Sequence, residues 1–364
     1  MGRFKKPYSE RGSAMGRQNV FDLPSDAHIE TLRQKAKEAP KEAPPPVEET
    51  LAARLPAPLP PGTPVLGLRI DVDTHEGMRD GVPRLLATLN EADVSGTFYF
   101  AMGPDNSGRA IFNVLTRPGF LAKMVRSGAP KIYSLRTMLS GTLLPARNVA
   151  LAFPDIARRA AEEGHEVGVH GWNHRSWQDR LQRYPSERVI LELERGAEAF
   201  AEIFRAKPLT FASPAWICSN ESLHHQERMG LLYGSDCRGT DPFLPVIDYK
   251  VLQTPQVPAT LPTLDETLGD ADKDADAFFA RMLEEVKPGE WPVLTVHAEI
   301  EGGPFAADFA SFLKGAKERG IAVVPLGRLL ATRLATGKPL PHCTLSYGAI
   351  EGRHGVVSCQ MLEV

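Results

Sequence analysis

The chain has 364 residues, 42% hydrophobic and 24% charged, enough to bury one large core or two small ones. A formal net charge of -3 argues against a nucleic-acid binder driven by a global basic field. The cysteines, Cys218, Cys237, Cys343 and Cys359, form no CxxC pair, and so few in so long a chain fit a reducing compartment better than a disulfide scaffold.

The amino end, MGRFKKPYSERGSAMGRQNVFDLPSD, has charge but no apolar run of a secretory signal. No stretch approaches the length of a spanning helix, so a cytoplasmic protein is expected. Residues 1–62, rich in Pro, Ala and Glu, read as a disordered extension that cannot bury a core. From Val65 the texture changes. Expected strands are VLGLRIDVD, SGTFYFA, EVGVH, PLTFAS, LLYGSD, TPQVPA, PVLTVH and IAVVPL. Between them lie the helical patterns GVPRLLATLNEA, DIARRAAEEG, SERVILELERGAEAFAEIF, ADAFFARMLEEV and DFASFLKGAKERG, with Gly164 and Gly320 placed as helix C-caps. This alternation predicts an α/β fold over residues 63–335, a distorted (β/α) barrel of seven or eight parallel strands. Residues 336–364 are expected to pack on or extend the barrel. Residues 103–147 and 237–273 lack periodicity and read as substrate loops.

In such barrels the chemistry sits at the carboxyl ends of the strands. Alternation in the first strand puts Leu66, Leu68, Ile70 and Val72 on one face and Gly67, Arg69, Asp71 and Asp73 on the other. Two carboxylates about 7 Å apart on one face need a cation nearby, either Arg69 or a metal. After EVGVH comes His170-Gly171-Trp172-Asn173-His174. If that turn is helical, both imidazoles share a face at a spacing suited to one metal. His297 ends a third strand, PVLTVH. Three strand ends then supply two His and a carboxylate as a facial ligand set with open positions. One carboxylate and one His remain for acid–base work.

The order IDVDT, HGWNH, TVHAE resembles the polysaccharide deacetylase (NodB-homology) superfamily. That resemblance implies a metal-dependent amide hydrolase in which Asp71 is the general base and His297 the general acid. Asp73, His170 and His174 would hold a divalent ion such as zinc, cobalt, manganese or nickel. The segments GLRIDVDT, GVPRLL, MGPDNSGR, HEVGVHGWNH, SDCRG, LPTLDE and HAEIEG are more specific. They resemble the branch that deformylates a lipid-linked aminoarabinose. This implies as substrate an undecaprenyl-phosphate-linked formamido sugar, used for lipid A modification and polymyxin resistance. It also implies peripheral docking on the cytosolic face of the inner membrane, for which the apolar and basic segment 120–144 is a candidate.

One departure is plain. The family's Arg-Pro motif, whose arginine orients the catalytic Asp, corresponds here to FASPAWICSN, which has no arginine. Arg69 and Arg238 are the candidate substitutes. Substrate contacts are expected from Trp216, Asp236, Arg238 and Arg69. Arg238 is read either as a phosphate ligand or as an ion-pair partner of Asp236 or Asp241. Trp216 is read either as a platform for the sugar or as core. A backbone N–H near Pro214–Trp216 is the expected oxyanion donor. The rival readings are another amide hydrolase of the superfamily, acting on N-acetyl sugars or cyclic amides, and a non-catalytic glycolipid-binding barrel.

Overall fold

The computed structural model describes residues 51–107, 145–269, 271–350, 352–353 and 355–361. Segment 120–144, the candidate membrane contact, lies outside the described residues.

Strand β1 (Val65–Val72) is buried along its whole length. Its outward residues Leu66, Leu68, Ile70 and Val72 join one core cluster, under the helices. Helix α1 (Val82–Ala92) seals part of that layer with Val82, Leu85, Leu86 and Leu89, the i, i+3, i+4, i+7 stripe of an amphipathic helix. There follow β2 (Thr97–Phe100), α2 (Pro154–Glu162), β3 (Glu166–Val169), α3 (His174–Arg180), α4 (Ser186–Phe204), β4 (Thr210–Phe211), α5 (Asn220–Met229) and β5 (Tyr233–Gly234). A hairpin, β6 (Leu244–Ile247) and β7 (Lys250–Val251), precedes α6 (Leu264–Thr267), α7 (Ala275–Glu284), β8 (Val293–His297), α8 (Ala306–Glu318), β9 (Ala322–Val324) and α9 (Leu326–Leu334). The tail carries β10 (His342–Cys343), β11 (Leu345–Gly348) and β12 (Val357–Gln360).

The main sheet has seven strands in the order β5-β4-β3-β2-β1-β8, with β9 also on β1, and every pairing is parallel. TPQVPA, expected as a strand, forms no ladder, but together with the Thr260–Leu261 that follow it bridges the two edges. Val257 N–H donates to Gly234 O at 2.8 Å, and Leu261 N–H to Val293 O at 3.1 Å. The sheet therefore curls into a distorted barrel with an irregular seam. Gly164 and Gly320 adopt φ of +87° and +70° after their helices, the left-handed conformation a C-cap requires.

The amino end of the barrel is plugged. Leu326, Leu329 and Leu330 of α9 pack with Val65, Tyr99, Tyr233 and Val293 inside the curl. Seven of its nine residues are buried, Thr332 and Arg333 among them, so its buried side is not the purely apolar stripe that announces an amphipathic helix. Leu51 and Leu55 join the same cluster, and Leu59 N–H donates to Thr332 Oγ1 at 3.1 Å. The boundary expected at residue 62 is thus too late: from Leu51 the chain is part of the domain.

The carboxyl ends of the strands are crossed by the tail. Arg238 N–H donates to Ser358 O and Gln360 N–H to Arg238 O, both at 2.8 Å. Cys218 N–H donates to Ser358 Oγ at 3.0 Å. Among the described residues no helix is long and apolar enough to cross a membrane.

Candidate active site at the carboxyl ends of the strands

β1 delivers Asp71 at its end and Asp73 just beyond it. Asp71 lies in register with His297 of β8, so base and acid candidates sit on adjacent strands. Arg69, two residues back on the inner face, grips Asp71 with both ends of its fork. Nε donates to Oδ1 and Nη2 to Oδ2, each at 2.7 Å. Its Nη1 donates to Ser235 O at 2.5 Å. Arg69 is fully buried, so this is the strong, bidentate kind of charge-assisted pair. Of the two candidate substitutes for the family's arginine, Arg69 is the one in contact with Asp71. That also corrects its expected substrate contact: both ends of the guanidinium are occupied inside the protein. Burial pushes the Asp71 carboxyl up, but Arg69, aided by His170, holds it below its ordinary range.

His170 follows β3. Its Nδ1–H donates to Ala212 O at 2.8 Å, which leaves Nε2 as the lone-pair nitrogen of the neutral ring. That Nε2 lies 3.3 Å from Asp73 Oδ1 and 3.5 Å from Asp71 Oδ2. The turn after His170 is not helical, contrary to one expectation. Gly171 takes φ of +73°, and α3 starts only at His174, capped by Asn173 accepting from Ser176 N–H at 3.0 Å. The left-handed turn still brings the imidazoles together, with ring centroids 5.0 Å apart. His174 Nε2 lies 3.2 Å from Asp73 Oδ2.

Donor atoms of Asp73, His170 and His174 all lie within 4.8 Å of one another. Asp73 Oδ1 is buried with no hydrogen-bond partner among the described residues. A buried carboxylate oxygen left open among two imidazole nitrogens is what a cation would satisfy, so these residues fit a metal ion. Burial raises the Asp73 carboxyl, yet His174 and His170 hold it well below its ordinary value.

His297 is embraced by carboxylates that the sequence reading did not single out. Its Nδ1 lies 3.8 Å from Asp265 Oδ1, and its backbone N–H donates to Glu301 Oε2 at 2.7 Å. Burial alone would lower the imidazolium, but Asp265, Asp73, Asp71 and Glu299 outweigh it and raise His297 to about 9. The signal was present in sequence, since acidic residues follow His297 at alternate positions in HAEIEG. Asp265 sits in TLDE, where Thr263 and Glu266 form the capping box of α6.

The remaining expected site residues are placed differently. Asp236 is fully buried and accepts from Gln256 Nε2 at 3.0 Å; it braces the interior beside Arg69 rather than meeting solvent. Asp241 pairs with Arg333 at 3.0 Å, so neither expected acid holds Arg238. That guanidinium pairs instead with Glu266 at 3.3 Å. Trp216 is 2% exposed, and its ring is ringed by Arg69, Arg238 and Arg353, at 5.3, 4.7 and 4.7 Å from the centroid. It is not a free platform for a sugar. Ala215 and Trp216 both take left-handed φ, 57° and 55°, a strain that persists only where the surroundings impose it. Pro214 has no N–H, and Trp216 N–H donates to Ser213 O at 3.2 Å, which leaves Ala215 as the remaining N–H of that stretch. His75, adjacent to the Asp pair, donates through Nδ1 to Asn148 O at 2.8 Å.

The family model for polysaccharide deacetylases matches residues 61–234. A protein of Shewanella sediminis assigned as the 4-deoxy-4-formamido-L-arabinose-phosphoundecaprenol deformylase ArnD is 38% identical over 266 residues, covering 73% of this chain and 85% of that protein. A protein of Wigglesworthia glossinidia brevipalpis with the same assignment is 31% identical, covering 78% of this chain and 98% of the relative. Among solved structures, one assigned to the polysaccharide deacetylases of Mycobacterium smegmatis superposes with a TM-score of 0.52 at 19% identity. It covers 81% of this chain and 99% of that one, which shows a shared fold.

Proposed function

The chain belongs to the polysaccharide deacetylase family, and from that premise we propose that it hydrolyses the formamide of 4-deoxy-4-formamido-L-arabinose carried on undecaprenyl phosphate. The products are formate and the lipid-linked 4-amino sugar, the building block for lipid A modification. The choice of bond and substrate rests on relatives at 38% and 31% identity. The observation that carries the chemistry is the convergence at one mouth of the Arg69-held Asp71, the Asp73–His170–His174 cluster and His297.

Asp73, His170 and His174 would hold a divalent metal ion, which supplies Lewis-acid polarisation and an acidified water. Asp71, ionised and fixed in orientation by Arg69, accepts the proton of the water that attacks the formyl carbon. His297, kept protonated by the carboxylates around it, gives its proton to the departing amine nitrogen. The two groups have been pushed apart in acidity by opposite environments, as an acid and a base working at one pH require. A polyprenyl-linked substrate calls for peripheral docking on a membrane, and the proposal places that docking on the cytosolic face of the inner membrane.

The direct test is formate release from formamido-arabinosyl undecaprenyl phosphate by the purified protein. Asp71→Asn is expected to abolish it. Normal turnover by that variant sinks the mechanism, and release of acetate from an N-acetyl sugar in preference to formate sinks the substrate.

A further inference from the structure

We infer that Arg238, Arg353 and the Trp216 indole N–H form a phosphate-ester subsite beside the catalytic mouth, assembled by the carboxyl-terminal tail. The inference rests on the proposed deformylase reading, because it assigns where the phosphodiester between sugar and lipid is held.

Three groups that can only donate hydrogen bonds meet here. Both guanidinium carbons stand 4.7 Å from the Trp216 ring centroid. Trp216 Nε1 is buried with no hydrogen-bond partner among the described residues, an orphaned donor of the kind native interiors rarely leave. The carboxylate that reaches both arginines, Glu266, does so at long range, 3.3 Å to Arg238 and 3.4 Å to Arg353. Charge-assisted pairs that are fully engaged close to about 2.7–2.9 Å, as Arg69 and Asp71 do at 2.7 Å. Arg238 Nη2 also donates to Leu261 O at 2.9 Å, so the cluster is two cations and a spare N–H against one loosely held carboxylate and one backbone carbonyl. An anion with several acceptor oxygens would satisfy all three donors, and planar forks match phosphate oxygens in particular.

The location fits a substrate group held across the sugar ring from the reacting formamide. Helix α6 links the subsite to the acid, since Asp265 faces His297 and the next residue, Glu266, faces both arginines. The tail is built for this seat. Gly352 has φ of +77°, and a Cβ there would stand 2.1 Å from Glu266 O, so its backbone lies directly on α6 and presents Arg353. Val357, with no exposed surface, packs with Trp216 and Ala259 and anchors the same segment.

The test compares two water-soluble formamido-arabinosides, a short-chain phosphodiester and the methyl glycoside that lacks phosphate. For Arg353→Ala the ratio of kcat/KM for phosphodiester over methyl glycoside should fall about 10- to 100-fold, mainly through KM. That range is what losing a hydrogen bond to a charged group of about 1.5–3 kcal/mol implies. Arg353→Lys should recover part of the ratio. Inorganic phosphate should perturb tryptophan fluorescence in the native protein and not in Arg353→Ala. An equal loss on both substrates, or an unchanged ratio, overturns the subsite. So does a variant that loses phosphatidylglycerol vesicle binding while keeping the ratio, because the arginines would then serve a lipid headgroup. Failure of the native protein to release formate from either compound refutes the deformylase reading instead, whereas an Arg353-dependent phosphate signal stands independently of turnover.

Discussion

Replacing Arg69 isolates how the fold sets up Asp71, the proposed base. In Arg69→Met the Asp71 carboxylate loses two 2.7 Å bonds while remaining almost wholly buried. Removing one partner of a buried pair costs about 3–5 kcal/mol, a large share of the roughly 5–15 kcal/mol that holds a domain folded. The double variant Arg69→Met/Asp71→Asn should recover much of this, since the unpaired charge is gone, and urea unfolding of the four proteins in the cycle gives the coupling directly. The pH dependence has a defined sign. A carboxyl depressed in the fold contributes stability above its unfolded pKa of about 4, lost as pH falls through the folded value. Without Arg69, burial dominates and Asp71 rises. Acid unfolding should then begin at higher pH, and the acid limb of kcat/KM should shift upward too. Arg69→Lys keeps the charge but not the fork; it should fold and lose about 100-fold in kcat, the scale of a misplaced general base. A folded Arg69→Lys with native kcat and an unmoved acid limb would refute the claim that this fork positions the base.

Three further expectations follow from the same geometry. His170→Ala, which removes a proposed ligand nitrogen already oriented by Ala212 O, should lower metal occupancy by elemental analysis, and a chelator should abolish formate release until a divalent ion is restored; undiminished occupancy contradicts the ligand set. Asp265→Asn removes the foremost of the charges that raise His297 to about 9, so the alkaline limb of kcat/KM should move to lower pH. The linked stability has the opposite sense to Asp71: it is full below the unfolded histidine value of about 6.5 and lost as pH rises through about 9, and an unmoved limb in Asp265→Asn would detach His297 from the profile. Gly81→Ala places a Cβ 2.0 Å from the Ala298 carbonyl oxygen; because that obstacle is backbone and not a flexible side chain, the variant should lose about 1–3 kcal/mol or more in urea unfolding, and native stability would show that the loop after β8 can yield.

How much was legible beforehand depended on whether the signal was local. The alternation in VLGLRIDVD sorted Leu66, Leu68, Ile70 and Val72 from Arg69, Asp71 and Asp73 because a strand's period is fixed by its pleat, and the structure keeps that division. Helices with one solvent face were equally readable. Helix α9 was not, because its buried side takes in Thr332 and Arg333 as well as its leucines, so burial there does not follow an apolar stripe. The paired imidazoles were found for an incomplete reason. Their spacing pointed to a helix, whereas a left-handed Gly171 and a cap at Asn173 bring them together.

The sequence by itself determined the order of the groups at the mouth: Asp71 near the end of β1 and Asp73 just past it, two histidines after β3 and His297 closing β8, each where a parallel barrel gathers its functional groups. Which arginine answers to which acid was decided only in three dimensions. Arg69 is close to Asp71 in sequence, but Arg238 meets Glu266 across 28 residues and Arg353 meets it across 87. Ion-pair partners of that kind are chosen by where the tail and α6 cross the barrel rim, and residue type alone does not encode that crossing. The same crossing orphans the Trp216 N–H and gathers the arginines around its ring, so the role of that tryptophan belongs to the tertiary structure.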